Sequence, residues 1–154
     1  MGKHIRNSTK AVILRDNAVL VIRKMAGDAG YAVLPGGGQN KDEILTDALK
    51  RECLEEIGCE VNVGELLFVR EYLSDHHEFA NEDPHIHQVE FFFACAAPAD
   101  YIPMHGSAPD PGQVEVCWAD VAALDAIGLY PKALRSLLRD LSQQPHPIYL
   151  GDVN

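Results

Sequence analysis

Residues 34–59, LPGGGQNKDEILTDALKRECLEEIGC, constrain this chain more than any other stretch. Tyr31–Leu34 reads as a short strand, and Pro35 with the three glycines Gly36–Gly38 ends it. A helical period then sets in: Leu45, Ala48, Leu49, Cys53 and Ile57 recur at three- and four-residue spacing and form one apolar stripe. Asn40, with Glu43 three residues on, predicts the start of that helix, and Gly58 suits the left-handed residue beyond its last turn.

The same helix carries Glu52, Glu55 and Glu56 at i, i+3 and i+4. At 100° per residue these acids share an arc of about 100°, and Leu45, Ala48 and Leu49 fall within it or beside it. Three carboxylates on the inward side of a helix, near its C-terminal end, repel one another and oppose the macrodipole. A divalent cation would offset that cost. Hard cations such as Mg²⁺ take oxygen ligands and keep positions for water and phosphates. The glycines upstream let backbone carbonyls approach as further ligands. Such a centre could neutralise a diphosphate and lower the pKa of a bound water. A lone E-x-x-E-E, by contrast, is usually a solvated surface, so the longer pattern has to decide.

Around this stretch the chain reads as one α/β domain over residues 1–154. Ala11–Leu14 and Ala18–Ile22 form a hairpin about Arg15-Asp16-Asn17. Residues 60–72 and 87–97 are long strands, the second apolar on both faces and therefore central in a covered sheet. Between them, SDHHEFANEDP (74–84) is a polar, histidine-rich loop of the length expected for a lid or an active-site edge. Pro98–Gly112 is a proline-rich loop and Gln113–Trp118 a last strand; Asp120 caps a short helix, and Pro131 opens a second with Leu134, Leu137, Leu138 and Leu141 on one face. The order β-β-β-α-β-β-β-α predicts a mixed central sheet in an α/β/α sandwich. The tail 145–154 carries no signal.

Charge narrows the function. A net charge of −10 on 154 residues argues against coating nucleic acid and requires local cations for any phosphate ligand. No apolar run reaches the length of a membrane span. Cys53, Cys59, Cys95 and Cys117 include no C-x-x-C pair, which predicts free thiols and a cytoplasmic protein.

Read from Gly37, the pattern is Gly37, five residues, Glu43, seven residues, then Arg51-Glu52-Cys53-Leu54-Glu55-Glu56-Ile57-Gly58-Cys59. This resembles the Nudix box of the Nudix hydrolases, with cysteine at 53 and 59 where aliphatic residues are usual. The resemblance implies a Nudix-type α/β/α sandwich and hydrolysis of a nucleoside diphosphate linked to another group X, with Mg²⁺ or Mn²⁺. It implies that Glu52, Glu55 and Glu56 bind metal with the carbonyl of Gly36 or Gly37, that one of them or a loop acid is the base, and that Glu43 and Arg51 brace loop against helix. The partner is then a small nucleotide or nucleotide-sugar, and homodimers are frequent among relatives. The proline that marks many ADP-ribose hydrolases is missing from Phe68–Asp83. The rival reading is a Nudix-fold module that senses nucleotides without cleaving them.

Outside the box, Glu78, Glu82, Asp83, Glu90 and Glu115 are eligible as an extra acid, and a salt bridge explains Glu90 equally well. Arg23 and Lys24 could contact phosphate, or be a solvated strand end. His85 and His87, with His76 and His77 near in sequence, raise a zinc alternative without a matching cysteine. His87, with Arg23 and Glu90, completes the candidate substrate contacts; Tyr31, Tyr72 and Phe79 could stack on a base but suit a core.

Overall fold

A computed structural model describes residues 4–143 and 145–154. The hairpin is longer than its apolar cores suggest: β1 is Ile5–Arg15 and β2 is Ala18–Ala26. Asp16 takes a left-handed φ of 56° in the two-residue turn, a conformation that Asp tolerates. β3 is Ala29–Val33, antiparallel to β2. The glycines do not leave the sheet as expected. Gly36–Gly38 form β4, antiparallel to the first half of β1, with Lys10 opposite Gly36, Thr9 opposite Gly37 and Ser8 opposite Gly38.

Helix α1, Leu45–Ile57, buries Ala48, Leu49, Cys53, Glu56 and Ile57. Its N-cap is Ile44, with no side-chain cap, which corrects the expectation for Asn40. Asp42 is left-handed at φ 67°, so the helix cannot begin before it, and Glu43 instead accepts the Asn40 N–H at 2.7 Å. At the far end Gly58 (φ 61°) closes the helix as predicted. β5 (Asn62–Leu73) and β6 (His87–Ala96) pair antiparallel, and β6 also runs parallel to β1, in the middle of the sheet as its two-sided apolar pattern requires. β7, Gln113–Asp120, pairs with β2. Asp120 accepts the Ala122 N–H to cap a single 3₁₀ turn, and α2 is short, Ala133–Arg139. The tail holds an unforeseen edge strand, β8 (Tyr149–Asp152), parallel to β5.

The path across the sheet is β3-β2-β1-β6-β5-β8, with β4 on β1 and β7 on β2. One face packs Ala11, Ile13, Leu20 and Ile22 under α1. The other packs Val12, Val19, Val21, Phe68 and Phe92 under Leu134 and Leu138 of α2. That is the predicted three-layer mixed sandwich. The four cysteines are free, and burial pushes the Cys53 thiol well up and the Cys95 thiol to about 12. Among the described residues no helix is long and apolar enough to cross a membrane.

Candidate active site

The site forms where β4 passes beneath α1. The Gly36 N–H donates to Glu56 Oε1 at 2.7 Å, and Gly37 lies so close to Glu52 that a Cβ there would stand 2.5 Å from the carboxyl carbon. Gly37 leaves room for the Glu52 carboxylate, and Gly36 leaves room for the β1 backbone at Thr9 and Lys10. Arg51 ties the structure together. It donates to both oxygens of Glu43 (3.1 and 2.7 Å), to the Gly38 carbonyl (3.0 Å), to Glu52 (3.0 Å) and to Glu55 (3.4 Å). The hydrogen bonds from Arg51 and then the Asn40 N–H hold the Glu43 carboxyl below its usual range. Loop, helix start and helix end are thus bound to one guanidinium.

The three acids differ in environment. Glu55 is the open one, with 40% of its side chain exposed against 15% for Glu52. Glu56 is 1% exposed. Burial pushes its carboxyl up to about 8, with a hydrogen bond to Asp110 adding to the rise, against the opposing Lys10 charge and Gly36 N–H. Glu56 therefore holds a proton at neutral pH and shares it with Asp110. Burial opposes ionisation of Asp110, but Glu56 and Lys24 outweigh it and keep that carboxyl low; the Lys24 Nζ lies 3.2 Å away.

Asp110 was absent from the acids singled out by sequence. It is brought in by the 98–112 loop, which satisfies the open carbonyls of α1. Gly106 N–H and Gln113 Nε2 donate to the Glu56 carbonyl, Ala108 N–H to that of Glu55, and the Tyr101 hydroxyl to that of Ile57. The only sequence signal was a lone acid between Pro109 and Pro111 directly before a strand.

Other candidates are dispersed. Glu90 and Arg70 form a buried pair at 2.6 Å, with Gln88 donating to the second oxygen of Glu90. Strand alternation puts Glu90 and Lys10 on the α2 face, where both line a small pocket with Arg70 and Tyr130. His87 is on the opposite face, 2.8 Å from Glu71. Arg23 makes an exposed pair with Glu115 at 3.4 Å. His76 and His77 both contact Asp152 of β8, at 2.8 and 2.7 Å, and His85 contacts Asp75 at 2.8 Å. Among the described residues no three His, Cys, Asp or Glu side chains gather as a preformed metal cage, at these histidines or at the α1 acids. Tyr72 stacks on His77, and Phe79 and Tyr31 each meet Tyr130 edge-on.

Asp152 thus straps the 74–86 loop to the sheet edge. Desolvation opposes its ionisation, but the Leu73 N–H, His77 and His76 outweigh this and lower its carboxyl from 3.8 to about 2. A depressed acid stabilises the fold above its unfolded pKa and loses that contribution as pH falls through the folded one. After discounting for solvent screening, the contribution is about 1 kcal/mol. Asp152→Asn should therefore unfold about 1 kcal/mol more easily than wild type at pH 7. Denaturant curves at successive pH values should show that gap shrinking from pH 4 toward 2; a gap independent of pH would contradict it.

The donor set suits a hard divalent ion. It offers the carboxyl groups of Glu52, Glu55 and Glu56 and glycine carbonyls, all oxygen, with Glu52 and Glu55 oriented by one arginine and Glu56 giving up its proton to bind. The NUDIX domain family matches residues 4–141, and the chain belongs to that family. A NUDIX hydrolase from Nitrosomonas europaea superposes with a TM-score of 0.73 at 22% identity, over 98% of this chain and 80% of that one. A MutT NUDIX hydrolase from Burkholderia pseudomallei is 30% identical over 77% of this chain and 85% of its own, with a TM-score of 0.58. A curated relative, a probable glycine cleavage system H protein from Pyrococcus abyssi, is 37% identical over 82 residues, which is 49% of this chain and 60% of that protein's length.

Proposed function

We propose that the chain hydrolyses a phosphoanhydride bond in a nucleoside diphosphate linked to another group X, using Mg²⁺ or Mn²⁺. The observation that carries this is the joining of Gly36 and Gly37 to Glu56 and Glu52, which sets backbone and acids against each other at one point. Glu52, Glu55 and Glu56 would hold the ion with a carbonyl of Gly36 or Gly37. The ion supplies charge neutralisation and a water of lowered pKa. The chain's own groups do the rest. Arg51 fixes the directions of Glu52 and Glu55. Glu55, the most open acid, takes the proton of the attacking water on a carboxylate oxygen. The water oxygen bonds to phosphorus, the P–O anhydride bond breaks, and the bridging oxygen leaves with the electron pair.

A panel of nucleoside triphosphates, nucleotide sugars and dinucleotides, assayed for phosphate or pyrophosphate release, tests this. Turnover is expected for at least one class and should vanish when EDTA removes the metal. Tight nucleotide binding without turnover anywhere in the panel would favour the sensing module instead.

A further inference from the structure

On an acidic chain, the charge that meets a phosphate has to come from somewhere, and most cations near the site are already paired. Lys24 pairs with Asp110, Arg51 with Glu43, Glu52 and Glu55, Arg70 with Glu90, and Arg23 with Glu115. Lys10 is different. Among the described residues it has no carboxylate within ion-pair distance, although it is half-buried. Its Nζ donates to the Gly36 carbonyl at 3.3 Å. Gly36 is the residue whose N–H binds Glu56, so Lys10 and Glu56 grip the same residue from its two polar ends. The lysine charge reaches Glu56 and Asp110, where it favours ionisation of both.

Register fixes the direction in which that ammonium is available. Lys10 lies opposite Gly36 on one side and Phe92 on the other, and its side chain shares the α2 face with Glu90 and Arg70. It therefore lines the pocket beside the buried Arg70–Glu90 pair and is linked to Glu56 through Gly36. A half-buried ammonium held only by a carbonyl has lost water without gaining a counter-charge. An anionic oxygen placed there would supply one, and a compact ammonium contacts phosphate well as a point charge.

We propose that Lys10 is a substrate-binding residue that contacts the phosphate adjoining the metal-held one, so that the diphosphate unit spans from the α1 acids to Lys10 and directs group X into the pocket lined by Arg70, Glu90 and Tyr130. The assignment rests on the hydrolase reading above for the nature of the ligand, and the test separates the two.

Wild type, Lys10→Met and Lys10→Arg should be compared by calorimetric titration with inorganic pyrophosphate in the presence of Mg²⁺, and by kinetics on the best panel substrate. Loss of one charge-assisted contact should weaken pyrophosphate binding and raise KM about 10- to 100-fold in Lys10→Met. kcat should change much less, the thermal midpoint and its shift with Mn²⁺ should stay at wild-type values, and Lys10→Arg should recover most of the affinity. Pyrophosphate binding and KM unchanged in Lys10→Met would overturn the proposal. So would loss of affinity accompanied by loss of stability and of the Mn²⁺ shift, which marks a structural lysine. If wild type binds pyrophosphate through Lys10 but hydrolyses nothing, the hydrolase reading falls and the lysine assignment stands. If wild type neither binds pyrophosphate nor turns over substrate, both fall.

Discussion

Glu56→Gln is expected to lower turnover about 10²- to 10³-fold, a few kcal/mol of the charge stabilisation that a metal centre supplies, while leaving the fold intact. The reasoning turns on the state of Glu56 before metal arrives. Its carboxyl is buried and holds a proton up to about 8. It accepts the Gly36 N–H on one oxygen and shares its proton with Asp110. A glutamine reproduces that pattern, with its carbonyl toward Gly36 and its NH₂ toward Asp110. Stability at neutral pH should therefore stay within about 0.5 kcal/mol of wild type, as for substitutions that leave buried groups satisfied. A glutamine cannot become an anion, so the site loses one negative ligand. The Mn²⁺-induced rise in thermal midpoint should shrink along with kcat. Full activity in Glu56→Gln would remove Glu56 from the machinery.

The box residues were legible in sequence because a helix writes its period into the chain. Ala48, Leu49, Cys53 and Ile57 are buried where the spacing puts them, with Leu45 only half-buried, and of the three acids Glu56 alone is buried with them while Glu55 is open. The bracing by Arg51, implied only by the family resemblance, is present in full. What sequence missed is tertiary. β4 is three glycines, a composition that argues against strand, and pairs because bare backbone can lie against β1 under the acids. β8 is four residues behind two prolines, too short for alternation to register. Asp110 reaches Glu56 only because its loop satisfies the end of α1. Lys10 lies just outside the strand read from sequence, Ala11–Leu14; β1 begins at Ile5, and its register places Lys10 opposite Gly36. The helix start was misplaced because Glu43 does accept the Asn40 N–H, as a capping partner would, yet Asp42 is left-handed at φ 67° and the helix begins only at Leu45.

The adjacent glycines should differ in stability, though not in loss of activity, when changed to alanine, which tests how the site is built. At Gly36, φ is 138°, a region that side chains rarely enter, and the new Cβ would lie 1.9 Å from the Thr9 carbonyl oxygen and 2.9 Å from the Lys10 Cα. Both obstacles are backbone of β1, which β6 holds from its other side. Neither can step aside, so β4 must detach and the Gly36 N–H must leave Glu56. Backbone strain alone costs about 1–3 kcal/mol, and the clash adds to it. Gly36→Ala should thus lose at least about 3 kcal/mol and about 6–12 °C in thermal midpoint for a domain of this size, and activity with it. At Gly37 the obstacle is the end of the Glu52 side chain, 2.5–2.7 Å from the added Cβ. That carboxylate can rotate away toward solvent. Gly37→Ala should keep a midpoint near wild type and lose activity by displacing Glu52 alone. Calorimetric scans with kinetics on the two variants distinguish the cases. Equal stability in both would mean that β4 is not locked on β1, and full activity in Gly37→Ala would mean that Glu52 does not need the position the glycine gives it.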